Sequence, residues 1–282
     1  MDISKTSNDC PLVIDLVSDL HIDQWSPLLK NRYPCGEIKD FPFEIKDSDS
    51  KYLIIAGDIS DDINVSIEYL NKISEKYEKI LFVDGNHEHV NAYPDLYTKE
   101  EINKLINNEK IVYLPNNPYV VNKTVFLGCC GWWDYNNFDK SETELGTKYF
   151  KDWISHFSRK NNIDFMMNVI PRSCEEIMNL IKLVEKYECD ETINQIVIVT
   201  HTVPKKDFCY FGGDIDSVGT QYNTKYKTIL RKTNKITHWL FGHAHNQTDK
   251  YDEIDKINYI SHPRGRPEDY NRINYDVKKI VL

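Results

Sequence analysis

The chain has 282 residues, a formal net charge of −9 and a mean hydropathy of −0.55. That length suits one large domain, and an acidic balance with no long basic run argues against a duplex-DNA binder held by phosphate contacts. No apolar run approaches the ~20 residues that span a bilayer, and Met1-Asp2-Ile3-Ser4-Lys5 lacks the apolar core of a signal peptide. An intracellular, cytoplasmic chain without a membrane span is therefore expected. The seven scattered cysteines, with the adjacent pair Cys129-Cys130 and no Cys-x-x-Cys, fit reduced thiols.

Leu12 to Val17 is the first expected strand, and it runs into Ser18-Asp19-Leu20-His21. Asp19 and His21 are two apart, so in extended chain they point the same way. Residues 24–50, polar and with three prolines, form a loop excursion. Tyr52 to Ala56 is the second strand, ending in Gly57-Asp58. Ser60, Asp61 or Asp62 then caps a helix whose apolar stripe is Ile63, Ile67, Leu70, Ile73 and Tyr77. Ile80 to Val83 is a third strand, ending in Gly85-Asn86-His87-Glu88. Strand, helix, strand is a βαβ unit with polar residues at both strand ends.

Thr98-Lys99-Glu100-Glu101 has the spacing of a capping box for a short helix, and a strand from Ile111 to Leu114 follows. Asn122-Lys123 joins Tyr119–Val121 to Thr124–Leu127 as a tight hairpin. Trp132-Trp133, just beyond, read as core or lid packing. Residues 135–192 are polar and helical without ligand-type clusters, His156 being solvated or packed, and they form an insertion beside the sheet; Ser173-Cys174-Glu175-Glu176 opens a helix within it. Gln195 to Thr200 is a buried strand ending in His201, and the long loop 202–223 follows it. After a short helix, Ile236 to Phe241 ends in Gly242-His243-Ala244-His245, with His238 packed inside the strand. Ile257 to Ile260 leads to Ser261-His262-Pro263-Arg264-Gly265-Arg266, and Tyr275 to Leu282 is the last strand.

Five strands thus end in Asp-x-His, Gly-Asp, Gly-Asn-His-Glu, His and Gly-His-x-His. In open α/β sheets, ligands bind at such carboxyl ends. Set along one edge, the residues offer more donors than one tetrahedral zinc accepts. Two divalent ions sharing a carboxylate suit the set, and its mixed nitrogen and oxygen donors favour Mn, Fe, Co, Ni or Zn over Mg or Ca. Such a pair clamps an in-line displacement at phosphorus.

In their order, these blocks resemble the calcineurin-like metallophosphoesterase superfamily, in its small stand-alone branch. The resemblance covers nearly the whole chain apart from 24–50 and 135–192. It implies an α/β fold, a four-layer αββα sandwich of two mixed sheets, and one domain over 1–282 with a mainly helical insertion at about 135–192. It implies one metal on Asp19, His21, Asp58 and His245 and another on Asp58, Asn86, His201 and His243, with manganese among the candidate ions. His87 corresponds to the histidine that assists the leaving group; Asp61 either orients it or caps the following helix. Arg264, in the surviving Pro-Arg-Gly core, is a candidate substrate-binding residue. Two departures stand out: Thr202 replaces a histidine often found there, and Asn-Pro-Arg-Gly-Tyr appears as His262-Pro263-Arg264-Gly265-Arg266.

The expected function is that of a hydrolase acting on phosphoric esters, a phosphatase or phosphodiesterase. A hydroxide held between two ions would attack in line on a small phosphorylated substrate. The alternative is a non-catalytic scaffold of the same fold that binds a protein partner, but a degraded site should have lost ligands, and none is missing. A nuclease would need a basic groove. Substrate identity, native metals and oligomeric state are not legible at this level.

Overall fold

Strands covered on both faces need apolar residues at nearly every position, not at every second one. The strand runs of this chain have that character, and in the computed structural model they build two mixed sheets. The structure describes residues 11–25, 43–46, 48–92, 95–115, 117–146, 162–210, 219–231, 233–267, 269 and 274–282. Most of the 24–50 excursion, residues 147–161 with His156, and the centre of loop 202–223 lie outside them.

The strands are β1 (Val13–Val17), β2 (Tyr52–Ala56), β3 (Lys79–Val83), β4 (Ile111–Tyr113), β5 (Tyr119–Val121), β6 (Thr124–Cys129), β7 (Gln195–Thr200), β8 (Ile236–Phe241), β9 (Thr248–Asp252), β10 (Ile257–Ser261) and β11 (Lys278–Val281). One sheet has the order β11-β1-β2-β3-β4 and the other β5-β6-β7-β8-β10-β9. β1 to β4 are parallel, with β11 antiparallel to β1. β6, β7, β8 and β10 are parallel, with β5 and β9 as antiparallel edges. Among the described residues, α1 (Ile63–Ile73), α2 (Lys99–Leu105), α3 (Asn162–Glu188) and α4 (Tyr226–Leu230) pack outside, and Tyr135–Phe138 forms a further single turn.

Alternate residues of each strand enter different apolar layers. Ile14, Leu16, Ile54, Leu81 and Val83 of the first sheet meet Phe126, Val197, Val199 and Leu240 of the second. Leu53, Ile55, Ile80 and Phe82 point the other way, under Ile63, Ile67, Leu70 and Ile102 of α1 and α2. Val125, Leu127, Ile196 and Ile198 meet Ile177, Leu180 and Val184 of α3 and Ile229 of α4. The layers run helices, sheet, sheet, helices, the expected four-layer sandwich. Each buried Leu, Ile or Val contributes about 1.5–3 kcal/mol of burial energy. Because the parallel strands of each sheet point one way, their carboxyl ends collect on one edge.

The hairpin forms as expected, with Asn122 and Lys123 at φ 47° and 61°, both left-handed as such a turn requires. Elsewhere tertiary packing overrode local pattern. α3 begins at Asn162, upstream of the expected opening, and runs through Pro171. Ser173 does not cap it; the residue is buried, and its hydroxyl accepts a hydrogen bond from Asn223 Nδ2 at 2.7 Å. β9 has no counterpart in the sequence reading, because TDKYD is an exposed edge strand with no apolar alternation to betray it. The last strand is shorter than Tyr275–Leu282, since Tyr275 leaves the ladder to stack on the His262 ring, centroids 4.8 Å apart. Among the described residues no helix is long and apolar enough to cross a membrane.

Candidate metal centre

The strand ends of β1 and β2, and those of β7 and β8, are knitted by backbone bonds that cross between loops. Asp19 N–H donates to Gly57 O at 3.0 Å, His21 N–H to Asp58 O at 3.1 Å, and Gly242 N–H to His201 O at 2.9 Å. Gly265 N–H donates to Asp19 O at 2.9 Å, tying in the segment after β10. This stitching forces unusual backbone. Asp19, His21, Asp58, His243 and His245 sit at φ 48°, 42°, 56°, 69° and 52°. Positive φ in non-glycine residues costs on the order of 1–3 kcal/mol each, and it persists only where the surroundings over-determine it. At Gly57 (φ 81°) and Gly85 the approach is closer still: a Cβ on Gly85 would lie 2.1 Å from Asp58 Oδ1.

The ligand-type atoms form three neighbouring groups: two share Asp58, and the third is His21, Asp61 and His87. Asp19, His21, Asp58 and His245 have donor atoms all within 4.8 Å of one another, and so do Asp58, His201 and His243. Asn86 joins the second group, its Oδ1 3.1 Å from His201 Nε2. Asp58 Oδ2 faces His201 Nε2 at 3.2 Å, His21 Nε2 at 3.8 Å and His87 Nε2 at 3.9 Å. All seven residues singled out as ligands by resemblance are thus brought together. Their outer atoms are anchored: His201 Nδ1–H donates to Ala56 O at 2.9 Å, His243 Nε2–H to Thr220 O at 2.9 Å, and His245 Nδ1 pairs with Asp269.

The inner atoms fit cations better than each other. Nε2 of His21 and of His245 face at 3.1 Å, as do His201 Nε2 and His243 Nδ1. With the outer nitrogens of His201, His243 and His245 serving as donors, the inward nitrogens of the neutral rings carry lone pairs. Asp19 Oδ2 is buried without a hydrogen-bond partner among the described residues. Donors bonded to one ion at about 2.1 Å stand about 3.0–3.4 Å apart, the spacing of these nitrogens. Without an ion, a proton takes the cation's place on His201. Burial opposes charge on His201, yet the Asp58 carboxylate holds its pKa up at about 10. Burial, then His201, push the His243 pKa down to about 3. Burial works against the Asp58 carboxylate too, but the imidazoles of His201 and His87 hold its pKa well below the usual range.

His87 stands beside the shared carboxylate, outside the two groups that share it. Its Nδ1 lies 2.5 Å from Asp61 Oδ1, while the cap of α1 is Asp62, which accepts from Asn64 N–H at 2.8 Å. Asp61 therefore orients the imidazole and does not cap the helix. Arg264 is 4% exposed, with its guanidinium carbon 4.1 Å from the Trp25 ring centroid and 5.1 Å from that of Phe43. Burial lowers its pKa to about 10. Its side chain is packed among aromatics. Trp133 is fully buried and tilts against His243, centroids 5.7 Å apart. His238 lies apart from the cluster, hydrogen-bonded to Thr237 Oγ1 at 3.0 Å.

In the sequence Glu88 is one more polar residue of a turn, and only the tertiary structure gives it a role. Its buried carboxylate accepts from the N–H groups of Gly85 (2.7 Å), Asp58 (3.0 Å), Ile59 (2.7 Å) and Ser60 (3.2 Å), and from Ser66 Oγ (2.9 Å). It clamps the loops after β2 and β3 together, so Asp58 and Asn86 keep their places. Burial, then the Asp58 carboxylate, push its pKa up to about 7 against those donors. Glu88→Gln would set an amide NH₂ among N–H donors. It is expected to cost about 2–4 kcal/mol of unfolding free energy in urea titrations of the metal-free protein. An unchanged midpoint and slope would show that the clamp is dispensable.

Comparisons with known proteins agree with this geometry. A sequence model of the family described as calcineurin-like phosphoesterase matches residues 12–247. An uncharacterized protein of Acanthamoeba polyphaga mimivirus is 27% identical over 296 residues, covering 94% of this chain and 97% of its own. The solved phosphopantetheinyl hydrolase PptH of Mycobacterium tuberculosis superposes with a TM-score of 0.68 at 17% identity, covering 95% of each chain. A dimetal phosphatase from Danio rerio gives a TM-score of 0.52 at 10% identity over 97% of this chain and 93% of its own. These structural likenesses are likenesses of fold.

Proposed function

Because the chain belongs to the calcineurin-like phosphoesterase family, we propose that it hydrolyses a phosphoric ester on a site holding two divalent ions. The observation that carries this reading is the sharing of Asp58 between two groups of inward-facing donors. Asp19, His21, Asp58 and His245 would hold one ion, and Asp58, Asn86, His201 and His243 the other. Bound there, divalent ions supply Lewis-acid charge for a phosphoryl oxygen and lower the pKa of water.

The chain's own residues do the rest. The anchored imidazoles fix the inward nitrogens without further ordering on substrate binding. His87, beside Asp58, holds a proton for the departing ester oxygen at Nε2, while Asp61 takes Nδ1–H and sets the ring plane. Burial opposes the imidazolium, but Asp58 and Asp61 outweigh it and raise the His87 pKa. The buried rings of Trp132 and Trp133 pack against His89 and His243, with centroids 5.3 and 5.7 Å apart.

The test is elemental analysis of protein refolded with Mn, Ni, Co, Zn or Mg in turn, alongside a panel of phosphomonoesters and phosphodiesters. Two ions per chain and metal-dependent turnover are expected. A stoichiometry of zero or one for every metal sinks the two-ion site.

A further inference from the structure

Two arginines stand in Pro263-Arg264-Gly265-Arg266, and Gly265 at φ 73° turns the chain between them. Arg264 goes to Trp25 and Phe43. Arg266 goes to the metal-ligand cluster: its Nη2 lies 3.0 Å from His87 Nε2. Its backbone is held there, since Arg266 N–H donates to Asp269 Oδ2 at 2.9 Å, and the same oxygen pairs with Nδ1 of His245. One carboxylate thus fixes both the arginine and a candidate ligand.

The guanidinium is a planar fork whose Nε–H and Nη2–H lie on one edge, spaced to meet two oxygens of one anion. On Arg266, Nη2 of that edge reaches His87, and Nε is buried with no hydrogen bond among the described residues. Among the described residues no carboxylate forms an ion pair with the Arg266 side chain. The fork therefore converges with His87 on the space beside the shared carboxylate, His87 Nε2 being 3.9 Å from Asp58 Oδ2.

We propose that Arg266 clamps the scissile phosphoryl group by two of its non-bridging oxygens, and that the substrate is accordingly a phosphomonoester. This rests on the phosphoesterase reading above. A monoester's phosphoryl group has three non-bridging oxygens, so two on the fork leave a third for the ion side. A diester has two, and both would be taken. The permanent charge of the guanidinium also suits the dianion of a monoester over the monoanion of a diester. Arg266 is thereby a specificity-determining residue, and it comes from the position where the resembling motif has tyrosine.

The experiment uses metal-loaded protein and Arg266→Gln, Arg266→Lys and Arg264→Gln variants. It measures bound metal, the Kd of inorganic phosphate by calorimetry, and kcat/KM for phenyl phosphate and methyl phenyl phosphate, which share one leaving group. Arg266→Gln should keep its metal and bind phosphate at least about tenfold more weakly, as loss of hydrogen bonds to a charged group implies. Its phenyl phosphate rate should fall in step while the diester rate holds. Arg266→Lys should recover only part of the phosphate affinity, because it keeps charge without the fork. Wild-type phosphate affinity in Arg266→Gln, or equal losses on both esters, overturns the assignment. So does weakened phosphate binding in Arg264→Gln at an unchanged melting temperature. If the wild type hydrolyses neither ester but Arg266→Gln still loses phosphate, the phosphoesterase reading fails and the anion clamp stands. If the wild type hydrolyses the diester but not the monoester, that reading stands and the clamp fails.

Discussion

Asp58→Asn is expected to bring bound metal to one ion or fewer per chain and to cut turnover by at least about 10³-fold, on the scale of losing a preorganised electrostatic contact. Asp58 is the member shared by both donor groups, and its Oδ2 faces three imidazoles. An amide keeps the shape and one oxygen but removes the charge that both ions would share. The metal-free protein gives an independent readout. His201 has its pKa raised from 6.5 to about 10 by Asp58, against burial. A raised folded-state pKa means the stability from this pair is fully present below about pH 6.5 and is lost as pH rises towards 10. Denaturation midpoints of the metal-free wild type should therefore fall across that window, and Asp58→Asn should flatten the dependence. Two tightly held ions in Asp58→Asn would overturn the shared-ligand role.

His87→Ala is expected to keep its metal and to lose about 10²–10⁴ in rate on alkyl or nucleoside esters, which expel a poor leaving group. A nitrophenyl ester departs as a stabilised phenolate and should lose far less. The geometry supports this split: His87 is oriented by Asp61 at 2.5 Å and stands beside Asp58 without belonging to either donor group that shares it. Asp61→Asn should reproduce part of the loss, because the amide no longer favours the imidazolium. Equal falls on both ester types, with metal intact, would show that His87 acts through binding or charge alone. A collapse of metal content would mean the neighbouring Asn86 loop depends on it.

The sequence by itself determined the buried strands, the Asn122-Lys123 hairpin and the polar residues at the strand ends. These are local properties: apolar runs, turn chemistry and spacing lie within a few residues of one another. The ordered strand-end blocks were legible for the same reason, and so was the family. What only the tertiary structure decided depends on partners distant in the chain. Glu88 looks like any acidic turn residue until loops after two strands bring four N–H groups and Ser66 onto it. The positive φ of Asp19, His21, Asp58, His243 and His245 has no trace in residue type, because backbone bonds between loops impose it. β9 hid because an exposed edge strand buries nothing that would pattern it, and the start of α3 because a buried serine can hydrogen-bond elsewhere and leave the helix uncapped at that point. Arg264 and Arg266 are two residues apart and chemically identical. One packs on Trp25 and the other reaches His87, because the turn at Gly265 and the grip of Asp269 on the Arg266 backbone send them apart.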